Sequence, residues 1–308
     1  MKVHTLDIDS GDRDPILYPN PGDYTIFLKN PVYNVSKISL VSARIHNSQL
    51  LIHDRNNTFT VNTSSTSETV VIPNGNYDGV DLASNVVLSS SIIDTATYNT
   101  TTNDITFSNL TNDFTFAFYG GESGYTSSAL YTTPHDALGL PANNVHSNSN
   151  TLKTGSLNLQ GVDAFVLKLS SGSDEFNKTI YSDTPFYTGR ILACGDVINY
   201  SGTDDIVEHN FDSGQKEVIS SIRVQFFYSS NGRLIPYDFR NANHVLKLAL
   251  TCSTDKLENV AKVERDFSLP PPIHIPEFED VNRWDAFVSI FLIVLVGVVM
   301  ILVSNKQP

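Results

Sequence analysis

Residues 221–234 read SIRVQFFYSSNGRL. Ile222, Val224, Phe226 and Tyr228 fall on one side and Arg223 and Gln225 on the other. That period of two belongs to a strand half buried in an antiparallel sheet. Asn231 and Gly232 then supply two residues that accept positive φ, the chemistry of a tight type I′ hairpin. The same period recurs along the chain. DFTFAFYG (113–120) puts Phe114, Phe116 and Phe118 on one face and Thr115, Ala117 and Tyr119 on the other. HVLKLALTC (244–252) aligns Leu246, Leu248, Leu250 and Cys252. DAFVLKLSS (163–171) groups Phe165, Val166 and Leu167, with Lys168 marking an exposed side.

Other segments punctuate or break this pattern. In YPNPGDY (18–24), Pro19 and Pro21 have no N–H for a ladder, so a turn is expected there, feeding a strand over 24–28. In YDGVDLASNVVLSSSII (77–93), Leu82, Val86 and Ile93 fall near one helical stripe and Asp78 stands where a cap belongs. One helix is predicted over about 79–91. The stretch 120–156, rich in Gly, Ser, Asn and Thr, reads as a long polar loop.

The chain closes on RWDAFVSIFLIVLVGVVMILVSNKQP (283–308). Residues 286–303 carry no charge and a single hydroxyl, Ser289; fourteen of these 18 residues are Phe, Ile, Leu or Val. As a helix they rise roughly 27 Å, close to the ~30 Å hydrocarbon core of a bilayer. Summed over those residues, insertion is favoured by at most roughly 5–6 kcal/mol. A core helix of this length would keep a polar face, and this one has none. A transmembrane anchor over 284–304 is predicted, with Trp284 at the interface and Phe287, Ile290, Phe291, Leu292, Ile293, Leu295, Ile301 and Leu302 in the lipid, followed by a short tail, 305–308. Arg283 and Lys306 flank the two ends, so the charge rule does not orient the span. The opening MKVHTLDIDSGDRD has no apolar signal core, so the larger part is expected on the cytosolic side.

Composition narrows the function further. The net charge is −13, and Asp285 and Lys306 cancel, so all of it belongs to residues 1–283. That argues against nucleic acid as a partner and against lying flat on an anionic leaflet. Cys194 and Cys252, far apart, are expected as free thiols. Seven Asn-x-Ser/Thr sequons, at Asn34, Asn56, Asn62, Asn99, Asn109, Asn177 and Asn199, are expected to go unused in a chain made in the cytosol. LPPPIHIPEFED (269–280) is rich in proline and acid and reads as a polyproline spacer able to hold a domain roughly 20 Å off a membrane.

Catalytic signatures are missing. The eight histidines show no metal spacing. GGESG (120–124) has neither the Lys-Ser/Thr of a phosphate loop nor the setting of a nucleophile elbow. Asp7, Asp9, Asp12 and Asp14 crowd one segment, but Gly11 and Asp12 fall in the wrong places for a calcium loop. No enzyme activity, cofactor or metal is expected.

The stretch DIDSGDRDPILYPNPGDYTIFLKNPVYNVSKISLVSARI (7–45) resembles a signature of the minor capsid proteins of large icosahedral DNA viruses, the chlorella-virus-like nucleocytoplasmic group. The matching positions are Asp9, Ser10, Asp12, Arg13, Asp14, then Tyr18, Pro19, Asn20, Pro21, Asp23, Tyr24, then Val41, Ser42, Ala43 and Ile45, with His46 where the family usually has proline. Stretches 72–87, 174–180, 184–192 and 234–252 are similar to the same family.

The resemblance implies a mainly β, antiparallel, jelly-roll-like β-sandwich with one short inserted helix, lying beneath an outer shell and above an internal membrane. The expected organisation is an N-terminal arm over 1–25, a sandwich over 26–265, a stalk over 266–283 and the anchor. The expected partners are the major capsid protein, other minor capsid proteins and the viral membrane. Asp9, Asp12, Arg13 and Asp14 of the arm would contact neighbouring subunits, or the arm is a plain edge strand and turn. The competing reading is a membrane-displayed receptor- or glycan-binding sandwich, using the 120–156 loop with Tyr125 and Tyr131.

Overall fold

The Asn231-Gly232 turn forms as predicted. Both residues adopt positive φ, 46° and 74°, and Ser230 pairs with Arg233 across it. The structure, a computed structural model, describes residues 1–118, 130–176, 187–203, 206–211, 217–253 and 281–305. The fold class expected from the sequence is the one found: mainly antiparallel β, one short inserted helix and one apolar C-terminal helix. The predicted stalk falls largely outside the described residues. Two compact units are present, Met1–Ala261 and Lys262–Pro308.

The first unit has two apolar cores, although a single sandwich over 26–265 was expected. One core belongs to a ten-stranded sheet built from both ends of the unit. It contains β1 (Lys2–Asp9) and β2 (Asp23–His46) from one end. From the other come β10 (Ala164–Ser171), β11 (Asp174–Glu175), β12 (Gly189–Leu192), β13 (Val197–Ser201), β14 (Glu208–Asn210), β15 (Glu217–Ser230), β16 (Arg233–Pro236) and β17 (Val245–Cys252). The order is β1-β17-β2-β15-β10-β11, with β12 on β10, β13 and β14 on β2, and β16 on β15.

β2 is far longer than the strand over 24–28 read from the sequence. Its first part pairs with β15; its second lies between β17 on one edge and β13 and β14 on the other. Register shifts interrupt both long pairings, at Thr251/Cys252 and Lys247/Leu248 on β17 and around Ile219 on β15. Such bulges bend a strand and increase its twist. Among the described residues no helix contributes to this core, and the bent sheet wraps it from its own strands and loops. Tyr24, Ile45, Phe165, Val224, Leu246 and Leu248 are fully buried there, each large apolar side chain contributing roughly 1.5–3 kcal/mol.

The second core lies in a lobe inserted between β2 and β10. Here β3 (Thr58–Thr63), β4 (Ser67–Val71), β7 (Phe114–Ala117) and β8 (Val145–His146) form a sheet ordered β4-β3-β7-β8. A second sheet, β5-β6-β9, comprises β5 (Thr95–Asn99), β6 (Asp104–Ser108) and β9 (Thr151–Lys153). Phe116 of the first sheet meets Phe107 of the second at 5.2 Å between ring centroids, and Phe59 at 5.0 Å. Phe114, Phe116 and Phe118 are all buried, as the period of two requires.

Helix α1 (Gly79–Leu88) begins at the expected cap, with the Asp78 carboxylate accepting from Asp81 N at 2.8 Å. It ends three residues earlier than predicted. Ser90, Ser91 and Ile92 turn instead onto the Glu68 carboxylate. The 120–156 stretch is not a uniform loop in its described part. It holds β8, β9 and a tight turn over 134–140 that buries His135 and Leu138.

Candidate functional site

Helix α2 (Val281–Ser304) contains the predicted anchor. Asp285–Ser304 is long and apolar enough to cross a membrane, and none of it is buried among the described residues. Phe287, Ile290, Phe291, Leu292, Ile293, Leu295, Ile301 and Leu302 are all exposed, at angles that cover the whole helix circumference. Trp284 lies in its first turn. A helix that is apolar all round belongs in a core or in lipid.

The four arm residues sit at the end of β1, in the turn that leads to β2. β1 is an edge strand, paired with β17 from Lys2–Cys252 to Asp9–Val245. The segment 1–25 is thus an edge strand and turn, the alternative left open by the sequence. Asp9 caps a short 3-10 turn, its Oδ1 accepting from Gly11 N at 2.8 Å. Asp14 Oδ1 accepts from Ile16 N at 2.9 Å. The Arg13 guanidinium donates to Ser10 O at 2.7 Å, Tyr18 O at 3.0 Å and Asn243 Oδ1 at 3.1 Å. Asp12 is exposed. The acidic cluster does not converge: Asp7 faces Lys247 at 3.6 Å, and Asp9 and Asp14 serve separate backbone amides. Among the described residues no group of three His, Cys, Asp or Glu side chains could hold a metal ion.

A polar cleft of about 300 Å³ lies between the two cores, a feature sequence reasoning missed. Its walls include Gln49 and Asn56 from the linker into the inserted lobe, Thr132 and His135 from that lobe, and Arg190 and Tyr228 from the large sheet. His53 bridges the lobes. Arg55 N donates to its Nδ1 at 3.2 Å, and its Nε2 faces the Gln49 side-chain amide nitrogen at 3.0 Å and the Tyr228 hydroxyl at 3.2 Å. Burial pushes this imidazole down to about 4. Thr132 and Ser230 hydroxyls meet at 2.7 Å beside it. Most lining amides are already bonded to protein: Asn56 to His53 N and Leu51 O, and Gln49 to Asp238 N. The cleft therefore acts as a weld between lobes. No sequence signal could have found it, because its partners lie some 100–175 positions apart.

The sequence matches a family of unknown function (DUF5901) over residues 3–117. Comparison with curated proteins gives no match. Among solved structures the chain is similar to the mavirus penton protein, at a TM-score of 0.40 and 10% identity, over 81% of this chain and 99% of that one.

Proposed function

We propose that the chain is a structural minor capsid protein of a large icosahedral DNA virus, tying the outer shell to an internal lipid membrane. In this reading α2 is the anchor and the β-rich unit engages the major capsid protein and other minor capsid proteins. The role is non-catalytic, without cofactor or nucleic acid. The observation that carries the membrane half is the 20-residue apolar stretch Asp285–Ser304 of α2, none of it buried among the described residues. The shell half rests on the resemblance of 7–45 and of the later stretches to the minor capsid signature. Net charge supports a division of labour: residues 1–283 carry −13, so attachment to anionic lipid falls to the helix alone.

The test is stepwise opening of particles. The protein should resist protease until the shell is breached, and should then leave with lipid on detergent treatment. Release by high salt without detergent, or a chain absent from purified particles, would sink the reading.

A further inference from the structure

The outer edge of β1 presents backbone groups that no described residue meets. β1 ends the ten-stranded sheet, with β17 on its inner side. Ser10 N donates to His244 O at 3.0 Å, which makes Ser10 and His244 a hydrogen-bonded pair continuing the β1–β17 register. In an antiparallel ladder, bonded and non-bonded pairs alternate. Lys2, His4, Leu6 and Ile8 therefore bond β17, and the N–H and C=O of Val3, Thr5, Asp7 and Asp9 point away from the sheet.

This edge is long and regular. The pairing has no register shift over eight residues, and the strand has no proline or glycine. Bulges and proline are two of the devices that blunt an edge against another strand, and β1 has neither. The side chains of Val3, Thr5, Asp7 and Asp9 are exposed on the outer face. On the inner face Leu6 packs against the core but is only partly buried, so the core is thinly covered at this margin.

We propose that β1 takes up an extended segment of another protein as an additional strand, with basic residues at alternate positions opposite Asp7 and Asp9 and apolar residues between them. Charge selects this occupant. Asp7 has one cation near it, Lys247 at 3.6 Å, and Asp9 spends one oxygen on Gly11 N. Asp12 and Asp14 extend the acidic row. A second copy fits poorly. Two-fold antiparallel pairing must set outer-face residues against outer-face residues; centred on Thr5 it puts Asp7 against Val3, centred on Leu6 it puts Asp7 against Thr5 and Asp9 against Val3, and centred on Asp7 it opposes two aspartates, so none of these registers gives either aspartate a cation. Naming the partner as another shell protein rests on the proposed capsid role; the edge geometry does not.

Thr5→Pro removes one outward N–H and leaves every β1–β17 bond in place, an edge position where proline is tolerated. Leu6→Pro removes a ladder bond and serves as the control for misfolding. The full chain in detergent is titrated with a labelled, acetylated peptide alternating Lys and Val, and with its Glu-Val counterpart. The Lys peptide should bind and slow amide exchange at Thr5, Asp7 and Asp9, and the Glu peptide should not. Thr5→Pro should weaken binding by about tenfold or more, equivalent to about 1.4 kcal/mol, with an unchanged melting temperature. Asp7→Lys, at an exposed position, should shift preference towards the Glu peptide, and this arm stands even if the proline variant folds poorly. Equal binding of both peptides, or exchange unchanged at saturation, overturns the proposal. In assembled particles the same amides should be protected. A chain present in particles with those amides exchanging freely overturns strand addition and leaves the capsid role standing. A chain absent from particles overturns the capsid role, and the peptide titration still decides the edge.

Discussion

Arg13 Nη1 donates to Asn243 Oδ1 at 3.1 Å, across 230 positions of chain. With its bonds to Ser10 O and Tyr18 O, that side chain clasps the turn between β1 and β2 to the loop before β17. The signature stretch of the sequence is thus, in large part, a recipe for a turn. Asp9 and Asp14 shape its backbone, Asn20 Oδ1 accepts from Gly22 N at 2.8 Å, and Asp23 holds Arg223 through two 2.8 Å contacts. Arg13→Ala should destabilise the β-rich unit by about 1–2 kcal/mol, the range for charged hydrogen bonds at a half-exposed site. Arg13→Lys should recover little of it, because an ammonium cannot reproduce the planar fork. Chemical denaturation of the three proteins measures this.

Gly79→Ala should also destabilise, against helix propensity. A Cβ at Gly79 would lie 2.3–2.6 Å from three ring carbons of Tyr98, whose hydroxyl is held by Asn103 Oδ1 at 3.0 Å. Alanine gains at most about 1 kcal/mol in a helix, and overpacking of this kind costs about 1–3 kcal/mol. A melting temperature raised by the substitution would show that the ring moves aside freely.

Particular elements explain what the sequence could and could not reveal. The strands flanking Asn231-Gly232, the helix capped by Asp78 and the apolar run at the end were readable, because each signal is local: a period, a turn pair, a cap, a length. β2 was not, because Pro31 and Asn34, which has φ of 58°, look like breaks. Only the partners on both sides of β2 carry it past them. The second core was hidden for a related reason. Both lobes are built from the same period-two strands, and the crossings near Asn47 and Gly161 have no shift in composition. The Arg13 clasp lay inside a stretch noticed for its resemblance, and its partner Asn243 lies at the far end of the domain.

Acid should weaken the unit first through its histidines. The folded-state value of His53 is about 4, below the ordinary 6.5, because burial disfavours the charged ring. The unfolded chain then binds the proton first as pH falls. The contribution is complete above about 6.5, declines towards 4 and is spent below it, up to about 2–3 kcal/mol. His135 and His244 are lowered by burial as well, so His53→Asn should reduce this limb without abolishing it. Denaturation midpoints between pH 7 and pH 4, wild type against variant, read the difference.

Glu68 should act in a lower window. Burial alone would raise its carboxyl, but hydrogen bonds from Ser90, Ser91 and the Ile92 amide outweigh that and hold it below the ordinary 4.5. A depressed carboxylate stabilises above its unfolded value and loses that contribution as pH falls through the folded one. Glu68→Gln should therefore leave stability less dependent on pH below about 4.5 and loosen the turn after α1. Amide exchange at Ser91 and Ile92 should quicken in the variant. Unchanged exchange there would separate the carboxylate from the turn.

Removing residues 281–308 should free the protein from lipid while leaving the β-rich unit folded. Both parts follow from where the apolar surface lies. Among the described residues both cores lie within residues 8–252, and none of the removed residues belongs to them. The span contributes at most roughly 5–6 kcal/mol of insertion, and no basic patch replaces it on a body carrying −13. Liposome flotation reads the first part and the denaturation midpoint of the truncated chain reads the second. Salt sharpens the test. Because an apolar helix does not depend on lipid charge, flotation of the full chain should hold from low to high ionic strength, and on neutral as well as anionic vesicles. Attachment by surface charge would instead fall with salt, within a Debye length of about 8–10 Å at physiological strength. Flotation of the truncated chain at wild-type levels would mean that another part of the molecule binds the bilayer, and α2 would lose its role as anchor.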